Sequence, residues 1–157
     1  MRQIKKVTPE EALERLEEQC MRAERSTGEA RQKLRQWGIA PDEAERIIAS
    51  LVKRRFIDDS RFARAFVLDK LRFGHWGRVK ISIHLRAKGI DTRTAEEALD
   101  LINEDEYRTI LAALLTARSR QLDMTDYNER AKLYRFGLSR GFESSLVAAE
   151  VRRLRDN

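Results

Sequence analysis

The sequence predicts an all-α protein built as three tandem three-helix repeats in an elongated array. Three observations predict it. The stretch Leu34-Arg35-Gln36-Trp37-Gly38-Ile39 returns 51 positions later as Leu85-Arg86-Ala87-Lys88-Gly89-Ile90. Only seven Gly and two Pro punctuate a chain that is 37% charged, so strand turns and flexible linkers are scarce. Helix-start signals also recur along the chain.

The first of these is Thr8-Pro9-Glu10-Glu11, which offers a Thr cap, Pro at the first helical position and Glu three residues beyond the cap. It opens the helical stretch PEEALERLEEQCMRAER. Ser26 with Glu29 and Asp126 with Glu129 repeat the cap spacing, and at all three a reciprocal capping box is expected. Ile57-Asp58-Asp59 precedes RFARAFVLDKL. With Asp58 as cap, Ile57 and Phe62 take the two positions of a hydrophobic staple, and a helix runs from about Asp59 to Arg72. Residues 79–85, VKISIHL, alternate as a strand would, yet they read better as helix. On a helix Ile81 and Leu85 form one stripe and Val79 and Ile83 a nearly opposite one, which suits a central unit contacted from both sides. The last upstream stretch is DEYRTILAALLTARSRQ.

With the 51-residue shift, Ala30, Leu34, Gly38, Ile39, Ala44, Ile48 and Leu51 fall on Ile81, Leu85, Gly89, Ile90, Ala95, Leu99 and Ile102. At a shift of 52 a third copy follows with Leu133, Gly141, Phe142, Val147, Val151 and Leu154, although Gly137 stands where the others have Leu34 and Leu85. Gly38, Gly89 and Gly141 are each expected to end a helix in the left-handed conformation, with the next apolar residue packing back on it. Nine helices result, in units spanning residues 8–52, 56–102 and 105–155. A unit of this size buries too little surface alone, so neighbours should stack.

The composition, 41% apolar over 157 residues, suits one compact domain or a short repeat array. No apolar run approaches the roughly 20 residues of a membrane span, and MRQIKKVTPEEALERLEEQ turns acidic where a secretory signal would turn apolar. A cytoplasmic protein is expected. Cys20, the one cysteine, cannot form an internal disulfide or a zinc cluster and reads as a small buried residue. Asp58-Asp59 would suit a hard cation, but no further acidic cluster completes a cage and capping explains the pair more simply. His75 and His84 lack a third ligand and read as surface or interface residues. Gly74-His75-Trp76-Gly77 mimics the GXXG loop of KH domains, whose strands are missing, so a tight inter-helix turn is preferred. Trp37 and Trp76 either stack on bases or pack into their turns, and packing is favoured. No nucleophile elbow, Walker loop, zinc motif or dinucleotide fingerprint is present. The sequence therefore points to a protein that acts by binding, without catalytic residues, metal or cofactor.

The net charge of +6 is concentrated. Residues 53–93 carry 12 basic and 4 acidic side chains, while residues 1–52 carry 10 of each. Within this segment Arg61, Arg64, Arg72, Arg78, Lys80, Arg86 and Lys88 are the candidate contacts for phosphate or an acidic protein groove, set against the alternative of an ordinary solvated face. Arg78 with Arg86, and Lys80 with Lys88, run down different flanks of one helix. The arginine pair is favoured, because a guanidinium makes bidentate contacts that an ammonium cannot.

FIDDSRFARAF (residues 56–66), GHWGRVKISIHLRAKGI (74–90) and the degenerate SRGF (139–142) together resemble the RecX family, regulators of the RecA recombinase. Their order and spacing inside a threefold repeat carry the resemblance; Trp37 departs from it, standing where many relatives carry a basic residue. What it implies is a helical-repeat protein lying along the groove of the RecA filament on single-stranded DNA, reaching that DNA mainly through the filament. Such a protein restrains the ATPase, recombinase and coprotease activities of RecA. It is expected to be a monomer. The competing reading is a DNA-binding transcription factor, since helix, turn and helix with basic residues is also the grammar of major-groove readers. A nuclease using Asp58 and Asp59 ranks last, for want of further ligands.

Overall fold

A computed structural model describes residues 6–157; the start of the N-terminal stretch read for a signal lies outside them. Among the described residues there are nine helices and no strand: α1 (Pro9–Arg22), α2 (Thr27–Gln36), α3 (Pro41–Lys53), α4 (Asp59–Arg72), α5 (Arg78–Ala87), α6 (Thr92–Asp100), α7 (Glu104–Ser119), α8 (Tyr127–Ser139) and α9 (Ser144–Asp156). VKISIHL is helical. The chain forms two compact units, one of Met1–Ala65 with Leu85–Ala95, the other of Phe66–His84 with Glu96–Asn157.

In the first unit α1 and α2 pack on α3, around a core that includes Ala12, Leu16, Leu34, Ile48 and Leu51. Cys20 and Trp37 are only partly buried against this core, so Cys20 is less enclosed than its residue type suggested. Burial still pushes its thiol pKa up. In the second unit α7, α8 and α9 pack on one another, with Tyr107, Leu111, Leu115, Leu133 and Phe142 buried.

Three helices end on glycine for one physical reason. Gly38, Gly89 and Gly141 have φ of 74°, 79° and 88°, a region that L side chains enter only at a cost. The N–H of the next residue then reaches back: Ile39 donates to the Leu34 carbonyl, Ile90 to Leu85 and Phe142 to Gly137, at 3.0, 3.1 and 3.3 Å. Carbonyls otherwise left open at the helix end are thereby satisfied. Gly137 has its own explanation. A Cβ there would lie 2.6 Å from Val147 Cγ1. The first two copies pair buried leucines, Leu34 and Leu85, with Ala44 and Ala95 ten residues on; the third pairs Gly137 with buried Val147. Volume has moved from one partner to the other, as a close-packed core permits.

Two further left-handed residues carry no glycine signature. Arg55 (φ 64°) ends α3 and His75 (φ 54°) follows α4, confirming the tight turn at residues 74–77. The caps differ in detail. Only Ser26 with Glu29 closes the reciprocal box. Thr8 accepts from the Glu11 N–H at 3.2 Å, while Glu129 pairs with Lys132 at 3.0 Å. Val79 and Ile83 correct an expectation. They are 49% and 63% exposed, so α5 buries the Ile81–Leu85 stripe alone and the opposite stripe faces solvent.

Candidate interaction surface

Asp58 and Asp59 join the start of α4 to its surroundings by hydrogen bonds. Asp58 accepts the Arg61 N–H at 3.0 Å, capping α4. Asp59 reaches the start of α2, accepting from the Thr27 N–H at 2.8 Å and from the Thr27 hydroxyl at 2.7 Å. Both carboxylates satisfy helix-start donors, which a carboxylate near the positive end of a helix does favourably. Together with Thr27, Arg55, Ser60 and Arg61 they line a surface recess of about 610 Å³.

The start of α2 also meets the end of α5 within the first unit. The Ser26 hydroxyl donates to the Lys88 carbonyl at 2.7 Å, and Lys88 Nζ pairs with Glu29 at 3.2 Å. Gly28 makes this approach possible, since a Cβ on it would lie 2.3 Å from the Lys88 oxygen and 2.8 Å from Gly89 Cα. The second unit repeats the joint with other residues. At the start of α5 the N–H groups of Gly77 and Val79 donate to the carbonyls of Arg140 and Gly141 at 2.7 and 3.0 Å. A Cβ on Gly77 would strike the Gly141 oxygen at 2.3 Å. Ser26 and Gly77 are 51 positions apart, the period of the repeat. Each joint seats the donors of one helix start on the carbonyls of another helix end.

The seven candidate basic residues divide by what they already touch. Arg61 pairs with Glu24 at 2.6 Å and donates to the carbonyls of Arg55 and Phe56. Arg72 holds Glu106 at 2.7 Å. Arg78 is committed furthest: its guanidinium lies 3.9 Å from the Tyr107 ring centroid, pairs with Glu143 at 2.9 Å and also with Glu104, leaving its side chain 26% exposed. Lys88 is tied to Glu29. Lys80 Nζ sits 4.5 Å from the Trp76 ring centroid, with Lys70 at 5.1 Å and the His84 ring at 4.5 Å. Trp76 thus packs against its own chain, partly exposed, inside a cluster of basic groups. Arg64 and Arg86 are exposed and make no ion pair or hydrogen bond among the described residues. Both belong to the first unit.

Sequence reasoning did not find Thr27, Gly28, the part Gly77 plays at the joint, or the Tyr107 network. The equal spacing of Ser26 and Gly77 was the available signal for the joints. Nothing local marks Tyr107, which acts on Arg78 from 29 residues away. Burial, followed by the hydrogen bond it donates to Glu143, holds the Tyr107 phenol above the ordinary tyrosine range. Its neutral form is the one the fold favours, so the contribution is complete below about pH 10 and is lost as pH rises through the higher folded value. In an alkaline titration followed by tyrosinate absorbance, one of the three tyrosines should ionise only as the protein unfolds. Tyr107→Phe should remove that late component; a late component that persists in the variant would count against this assignment.

These features define a class: an all-α helical-repeat protein with a basic, carboxylate-capped middle segment. The description "RecX, second three-helix domain" matches residues 58–99. The regulatory protein RecX of Chromohalobacter salexigens is 35% identical over 80% of this chain and 81% of its own length. That of Clostridium botulinum is 34% identical over 79% of this chain, which spans 59% of that relative. The crystal structure of RecX from Lactobacillus salivarius superposes with a TM-score of 0.82 at 23% identity, covering 93% of this chain and 96% of that one. The chain belongs to the RecX family of regulatory proteins.

Proposed function

We propose that this protein binds the RecA filament on single-stranded DNA and restrains its ATPase, recombinase and coprotease activities. Membership of a family whose relatives are named regulatory proteins carries this reading. The three helix triplets, residues 8–52, 56–102 and 105–155, serve as its repeats. The middle one supplies the contacts, because the excess of positive charge lies there and a polyanion or an acidic groove attracts such a segment. Arg64 and Arg86 make those contacts first, having no ion pair or hydrogen bond among the described residues to give up. Lys80 adds charge beside Trp76, whereas Arg61, Arg72, Arg78 and Lys88 act chiefly by holding the fold that presents them. No step of this function needs a cofactor or a reaction at the protein itself. In a test of RecA ATP turnover on single-stranded DNA, adding this protein should lower the rate in proportion to its concentration, and an unchanged rate would remove the reading. Sequence-specific binding to duplex DNA by the protein alone would support a transcription factor instead.

A further inference from the structure

A second surface, in the other unit, has a different character. Tyr127, Arg130 and Tyr134 from α8 and Arg152 and Arg155 from α9 rim a groove of about 260 Å³. Its floor is Ala131, Ala148 and Val151, small apolar groups that leave room above them. No acidic side chain lines it. Arg130 donates to the Met124 carbonyl at 3.0 Å, lies 6.0 Å from the Tyr127 ring centroid and, after the Thr125 hydrogen bonds, helps to lower the Asp123 carboxyl pKa, while Arg155 pairs with the exposed Asp156 beside it. Arg152 makes no ion pair or hydrogen bond among the described residues. Tyr127 is 75% exposed, a cost in water that a partner covering the ring would recover.

We propose that this groove between α8 and α9 binds an acidic peptide that inserts one apolar side chain. The aliphatic floor has no donor or acceptor to hold a polar group, so what enters must be apolar. Three guanidiniums around one opening favour carboxylates on either side of the inserted residue, each able to accept two parallel hydrogen bonds. Tyrosine and arginine around a small apolar floor is also the composition in which binding energy concentrates at protein interfaces. Nucleic acid fits less well. The aliphatic floor has nothing to read a base edge, and the surrounding residues 94–157, with 10 basic and 12 acidic side chains, give neither anion long-range attraction, so recognition rests on the local guanidiniums and the apolar floor. This surface is independent of Arg64 and Arg86, and its success or failure leaves the reading of the middle segment untouched.

The test uses the full chain and fluorescein-labelled peptides of ten residues, aspartate and glutamate around a single phenylalanine, followed by fluorescence anisotropy. The phenylalanine peptide should bind, and its serine counterpart of equal charge should bind much more weakly. Replacing Arg130 and Arg152 together with Glu should weaken binding roughly tenfold or more. Ala148→Leu, which fills the floor without touching charge, should weaken the phenylalanine peptide selectively. Helix content measured on each variant keeps a folding defect from passing as lost binding, and if the double charge variant fails this control it is replaced by Arg152→Gln alone, for which weaker binding of the phenylalanine peptide is required. Equal binding of the two peptides would overturn the proposal. So would displacement of the phenylalanine peptide by a single-stranded oligonucleotide with the same dependence on Arg130 and Arg152, which would make the groove a nucleic-acid site.

Discussion

Gly89→Ala should lower the melting temperature by roughly 10 °C, against about a third to a half of that for Gly38→Ala. Both glycines have positive φ, and in both an alanine incurs the left-handed penalty of about 1–2 kcal/mol. They differ in what surrounds them. A Cβ on Gly38 meets nothing within 4 Å, whereas one on Gly89 lies 2.8 Å from Gly28 Cα and 3.3 Å from its nitrogen. Those are backbone atoms that cannot rotate aside, so the joint between the start of α2 and the end of α5 must open. Overpacking of this kind adds about 1–3 kcal/mol, and a chain of this length loses roughly 3 °C for each kcal/mol. Thermal unfolding followed by circular dichroism measures both variants. Equal losses would show that only backbone conformation matters at Gly89 and that the joint with Gly28 contributes nothing.

Arg64→Glu combined with Arg86→Glu should abolish most of the restraint on RecA ATP turnover while leaving helix content and melting temperature close to those of the parent. Neither side chain has an ion pair or hydrogen bond among the described residues, so reversal strands no group there. Arg78→Glu should behave in the opposite way. It sets a third carboxylate beside Glu104 and Glu143, removes the cation over the Tyr107 ring, and should cost roughly 1–3 kcal/mol at this partly exposed site, so function falls with stability. Salt separates the possible partners: if Arg64 and Arg86 contact phosphates, each lost contact should flatten the dependence of log affinity on log salt by roughly 0.7–0.9. Lost affinity with an unchanged slope would assign the contacts to acidic protein surface. Full restraint by the double variant would end the case for these two residues.

The contrast between Arg78 and Arg86 shows how far the sequence reaches. The two arginines look equivalent in the sequence, eight positions apart on one helix, and guanidinium chemistry favoured both. In the structure Arg78 is drawn into an internal network, while Arg86 remains open to solvent. The difference comes from Glu104, Tyr107 and Glu143, residues that no local rule connects to position 78. The same holds for Asp59, whose capping role was legible but whose recipient, Thr27, lies 32 residues away.

What the sequence determined by itself was most of what short-range physics governs, two of the three expected capping boxes and the left-handed Arg55 and His75 excepted. Period-four apolar spacing, Thr8, Ser26, Asp58 and Asp126 at helix starts, and Gly38, Gly89 and Gly141 at helix ends each act within a turn or two, so their residues can be read side by side. VKISIHL, whose alternation favours a strand, is helical as the stripe argument expects, although of its two stripes only Ile81–Leu85 is buried. Only the tertiary structure decided which basic residues are free, why Gly28 and Gly77 must lack a side chain, and how Val147 fills the space left by Gly137. Those outcomes depend on which groups from distant positions arrive at the same place. Charges pair and volumes exclude one another through space, and spacing along the chain carries no record of it.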